Sequence, residues 1–482
     1  MAITIEVQPQ DFQSVYNEVI LVLDSDKKTQ DKFQYVIDVN IDGTFSTRLK
    51  VQSNPQGYGI INLSRHLESA ISSKLPDLTS SELFNFITES YTAYDVTLYE
   101  EYVLNFIFTT VTNNGGFCQY NFSTDHNFTI GDSINIIGDT TDVYDGFQTV
   151  TNIPNSTSVV TSKAFVSVGG AAIGAAKLSS DVPTMIEDTL AVFDDTKYVL
   201  NNVVDWIDVP SWDSTDYLLT TSTQRKFLTN LPESYFSRID DHISMNIRHR
   251  DNDTARYLKV VSNNGTYYFE NQHNISSATK EFLSVRVGAA DITGATLAAG
   301  SPSSALPVFD DNTTSYTVQT VTTDYVTPSS EERTFKIDRS CTEHENVKLI
   351  YLNRGGSYSP FNFIGASFKT VSVKKTNYQQ NYGTYDSTLN AYGWESNDVG
   401  VKRLDTNVTE SIKINSGWLS TEEGDLIKDL IISPQVYYMD ANGLIRAVEI
   451  KTNSVKIKQK KTDKLINYSL TFEYSTNNAN QR

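Results

Sequence analysis

Chemistry in this 482-residue chain would have to come from few imidazoles and thiols, because only six His and two Cys occur. His242 and His249 are the closest His pair. Their spacing is neither the i,i+4 step of a helix nor an even strand step, so a solvated or locally hydrogen-bonded role is expected over metal binding. Cys118 and Cys341 are too far apart along the chain for a Cys-x-x-Cys metal or redox motif. The pairs Asp194-Asp195 and Asp310-Asp311 lack the spaced ligands and glycine of a calcium loop and read as turn residues. No phosphate-binding Gly-x-x-x-x-Gly-Lys loop, His-Glu-x-x-His helix or Gly-x-Ser-x-Gly elbow is present. A glycosidase-like acid pair could still sit among the 58 Asp and Glu residues without leaving a local motif. The expectation is a protein that is not an enzyme, with no catalytic residue, metal or cofactor.

Two groups of residues suit binding instead. Trp206, Trp212 and Tyr217 could form a platform on which a sugar ring stacks, a reading weighed against ordinary aromatic packing. Lys456, Lys458, Lys460, Lys461 and Lys464 stand out as a basic segment in an acidic chain. They suit either an edge strand protected by lysines or a contact with the acidic surface of a neighbouring subunit.

The elements that position these groups are mainly strands. The chain holds 27 Tyr and 23 Phe beside many Thr and Val, which favours β structure. Its net charge of −19 argues against tight wrapping of nucleic acid, since phosphate binding needs clustered cations. No signal-peptide pattern opens the sequence, and no window approaches the ~18 apolar residues of a membrane span. The fold expected is several β-sandwich or barrel-like domains with a few short helices.

Four segments follow from texture. Residues 1–112 read as an N-terminal β-rich domain with one helix: Phe33, Tyr35, Ile37 and Val39 alternate onto one face, Asp42-Gly43 turns the chain, and Leu63, Leu67, Ile71 and Leu75 recur at helical spacing before Pro76. Residues 113–189 read as a small inserted β-domain with a small-residue segment at Gly169–Gly174. Residues 190–335 form a second β-rich domain, in which Val308-Phe-Asp-Asp311 repeats Val192-Phe-Asp-Asp195 as a duplicated turn. Residues 336–482 form a C-terminal β-domain with one short helix. There Ser420 and Glu423 make a capping box, Asn442-Gly443 marks a two-residue hairpin, and Ile466 to Tyr474 alternate as a strand.

Several of these stretches resemble virion proteins of tailed phages that infect Bacteroidota, the crAss-like phages included. The resemblance is carried by Cys341-Thr with Val347-Lys-Leu-Ile-Tyr-Leu-Asn-Arg-Gly-Gly356 and Phe361-Asn-Phe363, by Trp418-Leu-Ser-Thr-Glu-Glu423 leading to Ser433-Pro-Gln-Val-Tyr437, and by Lys461 to Tyr474. The Asn54-Pro-Gln-Gly-Tyr-Gly59 turn before Leu63-Ser-Arg-His-Leu67 is similar to the opening of such proteins. The resemblance implies a structural subunit of the tail or neck, assembled in the host cytoplasm into a ring of its own copies around an ejection channel. Its partners would be neighbouring virion proteins, with no membrane and no sequence-specific nucleic acid. The segment 169–174 and the tail 477–482 would become ordered on assembly. The alternative is a receptor-binding or carbohydrate-binding tail protein, using the Trp206, Trp212 and Tyr217 platform.

Overall fold

Alternation of apolar and polar residues lays one strand face on a core, and it runs through most of this chain; the fold is mainly β with a few short helices. The computed structural model describes residues 3–168, 172–180, 183–249, 253–273, 281–340, 343–419, 421–455 and 466–476. No helix among them is long and apolar enough to cross a membrane. The chain divides into two compact units, one of residues 1–71 and 92–200, the other of residues 72–91 and 201–482.

In the first unit, Gln34–Ile41 pairs with the edge strand Thr44–Val51 and with Tyr91–Tyr102 inside a six-stranded sheet. The turn between the first two is built by Asp42 (φ 48°) and Gly43 (φ 72°), the doubly left-handed geometry that a two-residue hairpin requires. One-sided burial was expected at this strand; Tyr35, Val36, Ile37, Asp38 and Val39 are in fact all buried, so both of its faces are covered. The Asn54–Gly57 turn closes as its residue types demand: the Asn54 carboxamide oxygen accepts from Gln56 N and Tyr58 N, and Gly57 sits at φ 94°. The helix that follows is short, Ser64–Glu68, because the Ser72 amide leaves the helical path to donate to Glu89 O.

The same unit holds a closed six-stranded barrel made by strands from Phe106–Asn114 to Gly174–Leu178. Phe108, Cys118, Tyr120, Ile134, Ile136 and Val159 fill it. The buried carboxamide of Gln148 accepts from Tyr120 Oη (2.9 Å) and Thr161 Oγ1 (2.6 Å) and donates to Tyr144 O, so no polar atom of that group is left unmatched.

In the second unit, five-, three- and seven-stranded sheets contribute to one hydrophobic cluster, which joins Ile247, Phe269, Val285, Tyr351, Phe361, Leu470 and Phe472 to Leu426, Ile427 and Leu430. The last three lie on the helix Thr421–Ile432, whose apolar face the sequence spacing anticipated. Strand Phe84–Phe86 belongs to this unit and pairs with residues 283–285. The terminal strand Ile466–Tyr474 buries Ile466, Tyr468, Leu470 and Phe472 in strict alternation. At Asn442-Gly443 the connection is longer than expected: Met439 faces Ile445, and the Asp440 carboxylate takes the amides of Asn442 and Leu444, stabilising a wider loop.

Candidate functional site

The seven-stranded sheet ends in two long strands, Phe368–Gln379 and Val401–Leu419, which pair from Phe368↔Lys413 to Gln379↔Val401 with one irregularity at Thr376/Asn377. Near the core, Ile412 and Ile414 lie opposite Phe472 and Leu470. The same face continues outward through Val371, Val373 and Val408, beyond the terminal strand. Phe368–Gln379 is exposed at every residue and forms the outer edge of its sheet. Beyond it, Thr384–Asp386 and Ala391–Gly393 form a small hairpin whose Asp386 carboxylate accepts from Thr388 N.

This arm, residues 367–404, carries a dense set of exposed large apolar side chains. Phe368, Val371, Val373, Tyr378, Tyr382, Tyr385, Leu389, Tyr392, Trp394, Val399, Val401 and Leu404 all face solvent, Leu389 at 74% and Trp394 at 65%. Scattered exposed apolar residues are ordinary; a contiguous set on one projecting element marks an interaction site. An isolated two-stranded hairpin is at best marginally stable in water; the base of this arm is tied to the sheet where Lys413 faces Phe368 on one side and Thr471 on the other. The arm was not singled out from the sequence. Its signal is a run rich in Tyr and Lys in which alternation continues with no second apolar segment to cover it.

A second feature lies in the same unit. Val203 donates its amide to Arg354 O, and the segment after it folds over two short 3-10 turns, Val209–Ser211 and Ser214–Tyr217. A cleft of ≈ 360 Å³ opens there, lined by Asp205, Asp208, Trp212, Asp213, Asp216 and Tyr217 on one side and by Lys226, Asn230 and Arg354 on the other. Trp212 and Tyr217 stack at 5.8 Å between centroids, so the structure brings these two together. Trp206 is not part of the lining; it stands 79% exposed, with Ile207 exposed beside it. Arg354 reaches Asp205 at 2.9 Å and Asp429 at 2.7 Å, and its guanidinium, hydrogen-bonded to Asp205, holds that carboxyl below the ordinary carboxylate range. Lys226 pairs with Asp216 at 2.9 Å. Asp208 and Asp213 have no cation within ion-pair distance among the described residues; Asp213 instead caps Thr215 N.

The other residues named from sequence fall as follows. Lys456, Lys458, Lys460, Lys461 and Lys464 lie outside the described residues, as do Cys341, Ser420, the tail 477–482 and residues 169–171. His242 Nδ1 lies 2.8 Å from Asp291 Oδ1, while His249 is fully buried in its strand. Asp310 accepts from Asn312 N and Thr313 Oγ1, and Asp195 accepts from Thr196 N, in keeping with turn roles. Among the described residues no group of three His, Cys, Asp or Glu side chains is arranged to hold a metal ion. The second unit also contains a buried charge cluster: Asp241, fully buried, accepts from Arg238 N and Asn362 Nδ2 and pairs with Lys348 at 2.9 Å.

No protein-family model matches this chain, and no curated protein matches it. Among solved structures, the phage phi92 endosialidase is similar over 98% of this chain and 68% of that one, at 9% identity and a TM-score of 0.16. A likeness that low carries no argument about function.

Proposed function

We propose that this chain is a non-catalytic structural subunit of a tailed-phage virion, placed in the tail or neck, where its own copies join around the ejection path. One observation supports the assembly part of this reading: the arm 367–404, ordered as strands yet exposed along nearly its whole length, with a dozen large apolar side chains uncovered. Burying such a surface against another subunit stabilises the assembly. An arm that inserts into a different patch of the next copy makes a head-to-tail contact, which closes into a ring when the rotation permits. Placement in a phage particle is supported by the resemblance of residues 347–363, 418–437 and 461–474.

The test is a variant in which residues 374–407 are replaced by Asn-Gly, joining the facing pair Val373 and Val408 through a two-residue turn. The intact protein is expected to form oligomers in light scattering and uniform rings in negative-stain images, and the shortened chain to stay monomeric with unchanged thermal unfolding of its core. Equal assembly of both proteins would overturn the reading, and so would an intact protein that remains monomeric at high concentration.

A further inference from the structure

We infer that the middle of the arm docks on the Val203–Asp213 surface of a second copy of this chain, through cations on the arm and aspartates without an ion-pair partner beside exposed apolar residues; this rests on the assembly reading above. Charge is the first reason. Residues 367–404 hold five Lys and Arg against three Asp and Glu, a net charge of +2, which leaves −21 on the rest of a chain whose total is −19. Lys369 is occupied by Glu410 at 2.7 Å. Lys374, Lys375, Lys402 and Arg403 have no ion-pair partner among the described residues. Across the ribbon Lys374 and Lys402 share a face with Tyr378, while Lys375 and Arg403 share the other, with Asp405 opposite Thr376 between the two pairs.

The receiving surface has the complementary composition. From 204 to 216 the chain carries four Asp and no Lys or Arg. Asp205 and Asp216 are paired within their own chain with Arg354 and Lys226, whereas Asp208 and Asp213 have no ion-pair partner among the described residues, Arg225 acting on Asp213 only at longer range. Apolar surface adjoins them: Val203, Trp206, Ile207 and Val209 are exposed within seven residues, Trp206 the most. The exposed Tyr378, next to the cation cluster in sequence, supplies an aromatic face for that surface. A partly desolvated contact of this kind combines apolar burial with opposite charges that steer encounter and fix register.

The decisive measurement is zero-length carbodiimide cross-linking of an equal mixture of unlabelled and ¹⁵N-labelled protein. Linked peptides of mixed label should join Lys374, Lys375 or Lys402 to Asp208 or Asp213. Arm lysines linked between copies only to other acidic residues would overturn the docking site. Charge reversal gives a second readout: Lys374→Glu, Lys375→Glu, Lys402→Glu and Arg403→Glu together should weaken assembly by roughly tenfold or more. Adding Asp208→Lys and Asp213→Lys to the same chain should recover most of that loss. Loss without recovery, in a protein whose arm-shortened form is monomeric, would sink this docking site and leave the assembly reading standing. Assembly that survives shortening of the arm would sink both. Glycan capture abolished by Trp212→Ala, with no linkage to the arm, would assign the surface to a carbohydrate and overturn the inference.

Discussion

Arg354 and Asp429 form an ion pair, Nε to Oδ1 at 2.7 Å, that ties the Asn353–Gly356 turn to the helix Thr421–Ile432. The approach is close but off-line for a hydrogen bond, and the same guanidinium donates from Nη1 to Asp205 at 2.9 Å. One cation thereby joins the helix, the turn and the cleft wall. Arg354→Ala leaves the largely buried Asp429 carboxylate without its cation. The variant is expected to lose about 3 kcal/mol of stability by urea titration. Faster amide exchange across residues 203–217 is expected to accompany it; exchange unchanged there would show that the wall is held by other contacts.

Asp429 also predicts a pH dependence. Burial pushes its carboxyl above the ordinary range, and the neighbouring Arg354 charge opposes that shift only in part. The folded state therefore holds the proton to higher pH than the unfolded state does, so this group's contribution to stability falls as pH rises from the ordinary carboxylate range through the folded pKa. Asp429→Asn should flatten that part of the stability–pH curve. A curve parallel to that of the unaltered protein would refute the assignment.

How far the sequence foretold this depended on distance along the chain. Asp42-Gly43, Asn54–Gly57 and the alternation of Ile466–Tyr474 are set by backbone sterics and by neighbours a few residues away, and they were legible. The cleft was only partly so. Trp212 and Tyr217 are close in sequence, but Arg354 meets Asp205 across 149 positions, which no local pattern encodes. The arm was hidden for a different reason: Val371 and Val373 alternate like core residues, and only the absence of anything packed over them reveals their exposure. The short helix at Ser64–Glu68 was overestimated because the Leu63, Leu67, Ile71, Leu75 spacing takes no account of Ser72 turning toward Glu89.

Cys118 offers a reporter for the barrel. Its thiol is buried, donates weakly to Ala164 O, and has its pKa pushed up to about 11 by burial. In a Cys341→Ser background, iodoacetamide at pH 8 should leave Cys118 unmodified until denaturant opens the barrel. Rapid labelling of the native protein would contradict this closed packing.

Two glycines with similar backbones should respond differently to Ala. Gly356 (φ 79°) would place a Cβ 2.4 Å from Asn201 O, whereas Gly443 (φ 78°) would meet nothing within 4 Å. Gly356→Ala is expected to cost about 3 kcal/mol, combining strain with a backbone clash, and Gly443→Ala about 1 kcal/mol from strain alone. Paired thermal unfolding curves check this; equal losses would mean that the Asn353–Gly356 turn can shift aside.

The strand Phe84–Phe86 pairs with residues 283–285, so it leaves the ribosome long before its partner exists. At synthesis speeds of about 5–20 residues per second, the gap of nearly 200 residues amounts to roughly 10–40 s. Within that interval, once residue 200 has been made, both stretches of the first unit are present and residues 72–91 are a loop between them. The second unit closes only after synthesis has passed residue 472, because Leu470 and Phe472 belong to its core. Overexpression without chaperones therefore exposes the edge of residues 84–86 to other nascent chains, and slower translation upstream of residue 281 lengthens that exposure.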